Sequence, residues 1–197
     1  MTSATHSAQH HVYLTFDDGP DPHWTPHVLD VLAAAQVRAT FFMIGLQAVR
    51  FGPLVRRIAA EGHEVGNHTF SHRHPWTLAT EEARQEVRTG AATLANILGH
   101  APRYYRPPHG RHRRCMEDEA HQQGETIVMW NVSAIDWGPL GDAERINQRL
   151  RRIQPGDIAL MHDGRNRHNR PDELLRALPG FLSDLRARDL RAVALEE

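Results

Sequence analysis

The residues able to move protons or hold a cation are not scattered along this chain. Asp17 and Asp18 follow a first short apolar run, and His68 and His72 follow a third. Arg106 ends a fourth, Asp136 comes after a fifth and His162 ends a sixth. His68 and His72 stand four apart, a spacing that on a helical turn puts two imidazoles on one side, able to share a cation. With 15 histidines in the chain, about one such pair is expected by chance, so the pair needs a partner. Asp18 offers one, an oxygen donor from a neighbouring run. Two histidines and one carboxylate leave a fourth position for water, the donor set of a catalytic Zn2+ site, with Co2+ as a similar alternative.

Around that trio stand candidates for the remaining steps of a hydrolysis. Of two adjacent carboxylates, one can bind the ion while the other faces the water, although Asp-Asp-Gly-Pro also suits a plain turn. Pro107 and Pro108 remove two amide donors and stiffen the loop, so the next amide, on His109, points in a fixed direction, as an oxyanion donor must. An Asp close to His162 would raise its pKa and keep it protonated, as a general acid requires, and Asp136 is available for this. Residues 165–170, with three arginines, could greet an anionic group, but a charge run of this kind reads first as a solvated loop.

These residues need elements that bring them together. The apolar runs 11–16, 38–44, 63–67, 104–106, 126–132, 157–161 and 191–195 read as strands. Helical patterns lie between them. One starts near Thr25 with Val28, Leu29, Leu32 and Ala35 on a face, and one has Pro53 in its first turn with Leu54, Val55 and Ile58 inward. Another opens near Thr80, with Glu81 and Glu82 in the first turn and Val87, Ala91, Leu94 and Leu98 as its stripe. A weakly amphipathic helix covers 112–123, and Ile146, Leu150 and Ile153 mark the next. A last helix carries Leu174, Leu175, Leu178, Leu182 and Leu185, with a kink expected at Pro179. Strands alternating with helices imply a parallel sheet covered by helices, either a closed barrel with fewer than eight strands or an open doubly wound sheet. No dinucleotide-type glycine fingerprint follows the first strand, which favours the barrel. In such a barrel the strand carboxyl ends open on one face, where residues distant in sequence converge.

Bulk properties agree with one domain spanning 11–197, preceded by a polar, disordered tail at 1–10. The 197 residues can bury one substantial core. A net charge of −1 gives no general pull toward nucleic acid or anionic lipid. No apolar run is long enough to cross a membrane. The single cysteine, Cys115, forms no internal disulfide and leaves the redox compartment open. The polar start, without a hydrophobic signal core, predicts a cytoplasmic protein or one whose leader has been removed.

The motifs and their order resemble the polysaccharide deacetylases, carbohydrate esterase family four. Thr15-Phe16-Asp17-Asp18-Gly19-Pro20, His68-Thr69-Phe70-Ser71-His72, Arg106-Pro107-Pro108-His109-Gly110, Asp136-Trp137 and Leu160-Met161-His162 are similar to that family's five motifs in sequence. The likeness covers about residues 11–195. It implies a distorted (β/α) barrel with fewer than eight strand–helix units and a divalent ion on Asp18, His68 and His72. It further implies Asp17 as general base, oriented by Arg106, and His162 as general acid, paired with Asp136. Trp137 and Leu160 would wall the acetyl pocket and the His109 amide would face the oxyanion. The implied substrate is an N-acetylated carbohydrate of chitin or peptidoglycan type. Two positions depart from the pattern: Ser133 stands where the family usually has Asp, and His109 where it often has an aromatic residue. O-acetyl xylan or small cyclic amides are rival substrates, and a non-catalytic carbohydrate-binding module or a purely structural α/β domain are rival functions.

Overall fold

The computed structural model describes residues 10–195. Nine of the ten residues read as a tail lie outside them. His10 is described, with its imidazole 3.8 Å from Asp189.

Fifteen strands and α-helices follow in chain order: β1 His11–Asp17, α1 Trp24–Ala35, β2 Thr40–Met43, α2 Gly45–Arg50, α3 Gly52–Ala60, β3 Glu64–Asn67, α4 Thr80–Leu98, β4 Tyr104–Tyr105, α5 Arg114–Gln122, β5 Thr126–Ile127, β6 Val132–Ser133, α6 Ala143–Leu150, β7 Ile158–His162, α7 Pro171–Ala187 and β8 Arg191–Val193. Every ladder is parallel, and consecutive strands that pair are joined through helices. The order is β5-β4-β3-β2-β1-β7-β6, and β8 adds to the first half of β1, ahead of its β2 register. The sheet curls into a half-barrel, the distorted β/α barrel that the sequence pattern favours over an open sheet.

One core holds this together. β1 contributes Val12, Leu14 and Phe16 to its helix-facing layer, all fully buried, against Val28, Leu29 and Leu32 of α1 and Phe181 of α7. Phe16 stacks on Phe41 of β2 at 5.0 Å between ring centroids. Burying side chains of this size contributes about 1.5–3 kcal/mol each. The alternate residues of β1, Thr15 and Asp17, face the other way, into the barrel.

Three expectations need correction. The run 126–132 is two separate two-residue strands, because the chain leaves the β4 edge and must cross to the β7 edge. A short helix, α2, follows the second strand where none was expected. Ala35, assigned to the buried face of α1, is exposed. α7 runs through Pro179 to Ala187, with Pro179 exposed, where a missing amide is tolerated. No helix among the described residues is long and apolar enough to cross a membrane.

Candidate active site and metal centre

The carboxyl ends of β1, β3, β4, β6 and β7 open on one cavity of about 320 Å³. It is lined by Asp17, Asp18, His68, His72, His109, Trp137, Leu160 and His162, and also by Gly110, Trp130, Asn166, His168 and Asn169. Of the residues expected from sequence, only Arg106 and Asp136 do not line it, and both bond directly to residues that do.

Asp18, His68 and His72 each offer a donor atom, all within 4.8 Å of one another. His72 does not sit on a helical turn, as the spacing suggested. Residues 68–72 form an irregular loop with left-handed backbone at Thr69 (φ 65°) and His72 (φ 57°), which brings the second imidazole back toward the first. Asp18 is also left-handed (φ 73°). The His68 Nδ1–H donates to the Arg106 carbonyl at 2.8 Å, which leaves the Nε2 lone pair free. Asp18 Oδ1 is buried and receives no hydrogen bond, yet it lies 3.1 Å from His72 Nε2 and 3.6 Å from His68 Nε2. A buried carboxylate oxygen left open toward two imidazole nitrogens is what a divalent cation would satisfy, so the residues fit a metal.

The other Asp18 oxygen is fully engaged. Oδ2 accepts from Asn169 Nδ2 at 2.6 Å and from Asn166 Nδ2 at 2.9 Å. Both asparagines come from the loop read as solvated. Nothing in their spacing announces this, beyond their place directly after His162. The arginines of that loop do not converge on the cavity: Arg165 reaches Asp172 at 3.2 Å and Arg170 reaches Glu173 at 3.1 Å. Burial works against the charge on Asp18, but His72, His162, His68 and the Asn169 amide outweigh it and hold the carboxyl below its usual range.

Asp17 is the last residue of β1. Its Oδ1 accepts from Arg106 Nη1 at 2.8 Å, and its Oδ2 stands 3.7 Å from His68 Nε2. Arg106 is completely buried, and five contacts keep it so. Nη1 also donates to Thr15 Oγ1, Nε to the Val128 carbonyl and Nη2 to the Met129 carbonyl, while the guanidinium covers the Phe42 ring at 4.1 Å.

His162 ends β7, its Cα in register with that of Asp17 on the neighbouring β1. Its Nδ1–H donates to Asp136 Oδ1 at 2.8 Å, and its backbone N donates to Asp136 Oδ2 at 2.7 Å. Burial opposes the imidazolium, but the Asp136 carboxylate, with Asp18 and Asp17 beyond it, raises the pKa to about 9. Trp137 meets the His162 ring edge-on at 5.4 Å, and Leu160, two residues before His162 on β7, shares its face. The Ser133 hydroxyl accepts from Ile135 N at 3.2 Å and so shapes the turn into Asp136. His109 takes a left-handed conformation (φ 57°) after the two prolines, and its ring packs on His72 at 4.5 Å and His74 at 5.3 Å. Asp163 escaped sequence reasoning. It is buried behind His162, where it accepts from the Thr25 hydroxyl and packs on Gly19, bracing the Asp17–Pro20 turn.

The arrangement therefore gathers a cation-ready trio, a carboxylate and a charged imidazole in one cavity. Comparison with known proteins agrees. A family model described as polysaccharide deacetylase matches residues 4–128. The chain is 36% identical over 184 residues to a peptidoglycan-N-acetylglucosamine deacetylase of Bacillus cereus, covering 93% of this chain and 66% of that protein. It is 41% identical over 154 residues to a chitooligosaccharide deacetylase of Bradyrhizobium, covering 78% and 70%. Among solved structures, a family 4 carbohydrate esterase from Streptomyces lividans in complex with acetate superposes with a TM-score of 0.84 at 31% identity, over 92% of this chain and 91% of that one. Motif order, fold and sequence likeness lead to one assignment: the chain belongs to the polysaccharide deacetylase family, carbohydrate esterase family 4.

Proposed function

We propose that the protein is a metal-dependent deacetylase that hydrolyses acetamide groups of N-acetylglucosamine-containing polymers or oligomers, of chitin or peptidoglycan type, to free amine and acetate. The observation that carries this is what stands with the trio in one cavity: Asp17, bound by Arg106, and His162, held as a cation by Asp136. A nitrogen–nitrogen–oxygen donor set suits Zn2+, with Co2+ as a working substitute.

A divalent ion on Asp18, His68 and His72 would supply Lewis-acid polarisation of the acetyl carbonyl and acidify the attacking water. Asp17, fixed by Arg106 through Oδ1, takes the water's proton. The His109 amide, directed by the two prolines before it, donates to the oxygen on which negative charge gathers. An amide nitrogen leaves poorly as an anion, so His162 Nε2 gives it a proton while Asp136 stabilises the ring. Leu160 and Trp137 enclose the methyl group.

Acetate release, measured with and without added Zn2+ on chitin oligomers, peptidoglycan fragments and acetylated xylan, tests the proposal. Metal-dependent release from either N-acetylated substrate supports it. Release from xylan alone, or metal binding with no release from any of the three, overturns it.

A further inference from the structure

Both histidines of the trio belong to one loop, residues 68–72, whose order comes from neighbouring elements. On one side Gly45 N donates to the Thr69 carbonyl at 2.9 Å and Leu46 N to the Phe70 carbonyl at 2.7 Å, so the start of α2 holds the loop by its backbone. On the other side stands Glu86, in the second turn of α4. Its Oε2 accepts from Ser71 N at 2.7 Å, its Oε1 from the Ser71 hydroxyl at 2.6 Å, and its own carbonyl from Phe70 N at 2.9 Å. A single residue thus takes three donors from two consecutive loop positions. The helix comes close enough to do this because Gly90, one turn further on, has no side chain; a Cβ there would overlap Asn67 Oδ1 and crowd the Thr69 backbone.

Ser71 immediately precedes His72, whose left-handed backbone (φ 57°) carries no glycine relief and needs support. Glu86 cannot be a ligand itself, since both carboxylate oxygens are committed to Ser71. We propose that Glu86 is a positioning residue of the metal centre: its two-oxygen grip on Ser71 fixes the His72 backbone, and with it the separation of the His72 and His68 nitrogens from Asp18 Oδ1. This inference rests on the metal-centre reading, but its test requires no turnover.

The test is Zn2+ affinity by chelator competition, for the unaltered protein, Glu86→Ala, Glu86→Gln and, as a reference, His68→Ala, alongside the melting temperature of each metal-free protein. Supporting groups of this kind are worth about 10–100-fold in metal affinity, and Glu86→Ala is expected to lose that much. Glu86→Gln can still accept from Ser71 N and can donate to the Ser71 hydroxyl, so it should stay within about threefold of the unaltered protein. Metal-free melting should be alike for the two Glu86 variants. Unaltered affinity in Glu86→Ala beside lost affinity in His68→Ala overturns the role of Glu86 and leaves the metal centre standing. Unaltered affinity in His68→Ala overturns the metal centre itself. Equal loss in both Glu86 variants, or an affinity loss that only tracks a fall in melting temperature, also overturns the positioning role.

Discussion

His68 and His162 are the same residue type, both set at strand ends within one cavity, and they are driven in opposite directions. Each ring donates its Nδ1–H at 2.8 Å. His68 donates to a neutral backbone carbonyl, and burial, only partly offset by Asp17, pushes its pKa down to about 4. His162 donates to a carboxylate, and its pKa rises to about 9. The protein thus obtains a neutral donor suited to a cation and a charged proton donor from one side-chain chemistry. The partner of Nδ1 decides which, and position along the strand does not.

The largest disturbance to this pair should come from deleting either proton carrier. Asp17→Asn and His162→Ala are each expected to lower kcat by about 10²–10⁴-fold while elemental analysis still finds the metal; a variant that keeps full turnover would remove its residue from the mechanism. Next in size, Asp136→Asn replaces the charge that separates the two histidines. His162 then loses its proton at a lower pH, so the alkaline limb of the kcat profile should move down by about 1–3 pH units. Activity near pH 8 should suffer more than activity near pH 6, and a limb that stays in place would mean that Asp136 does not set the protonation of His162. A smaller effect is expected from Asn169→Ala, which removes the shorter of the two hydrogen bonds to Asp18 Oδ2. Metal affinity should fall by about tenfold, read by chelator competition; no fall would make the Asn169 contact incidental.

The smallest effect extends the comparison to a buried group with no charged partner. Glu125 has only the Asn67 amide, at 3.2 Å, and burial raises its pKa to about 8. In the unfolded chain it ionises at an ordinary carboxylate pKa, so unfolding releases a proton between that value and about 8, and stability falls as pH rises through this range. Glu125→Gln should therefore raise the melting temperature by about 2–4 °C near pH 8 and leave it unchanged near pH 4. An equal gain at both pH values would mean that the charge is not the cause.

Much of this was legible in the residues themselves. Hydrophobic period separates strands from helices, and the catalytic residue types cluster where strands end, so the barrel and the cavity-lining set follow together. What escaped has a shared character. Asn166 and Asn169 reach Asp18 across about 150 positions of sequence, and Glu86 reaches Ser71 from another element. Such contacts exist only once the elements are docked, and no spacing encodes them. The helical turn expected for His68 and His72 fails for a related reason: two left-handed residues, rather than a periodic backbone, bring the rings together. The division of 126–132 into two strands follows from the sheet's curvature, which no local pattern of side chains reports.

Arg106 bears on how variants at this site can be read. Its guanidinium reaches Asp17 with one arm and, with the others, the carbonyls of Val128 and Met129, in the stretch that carries the chain from one sheet edge to the other. It is a rivet through both the seam of the half-barrel and the catalytic carboxylate. Damage there propagates two ways at once, and lost turnover in an Arg106 variant would be indistinguishable from an opened seam unless folding were followed in parallel. The architecture makes closing the scaffold and aligning the chemistry a single event.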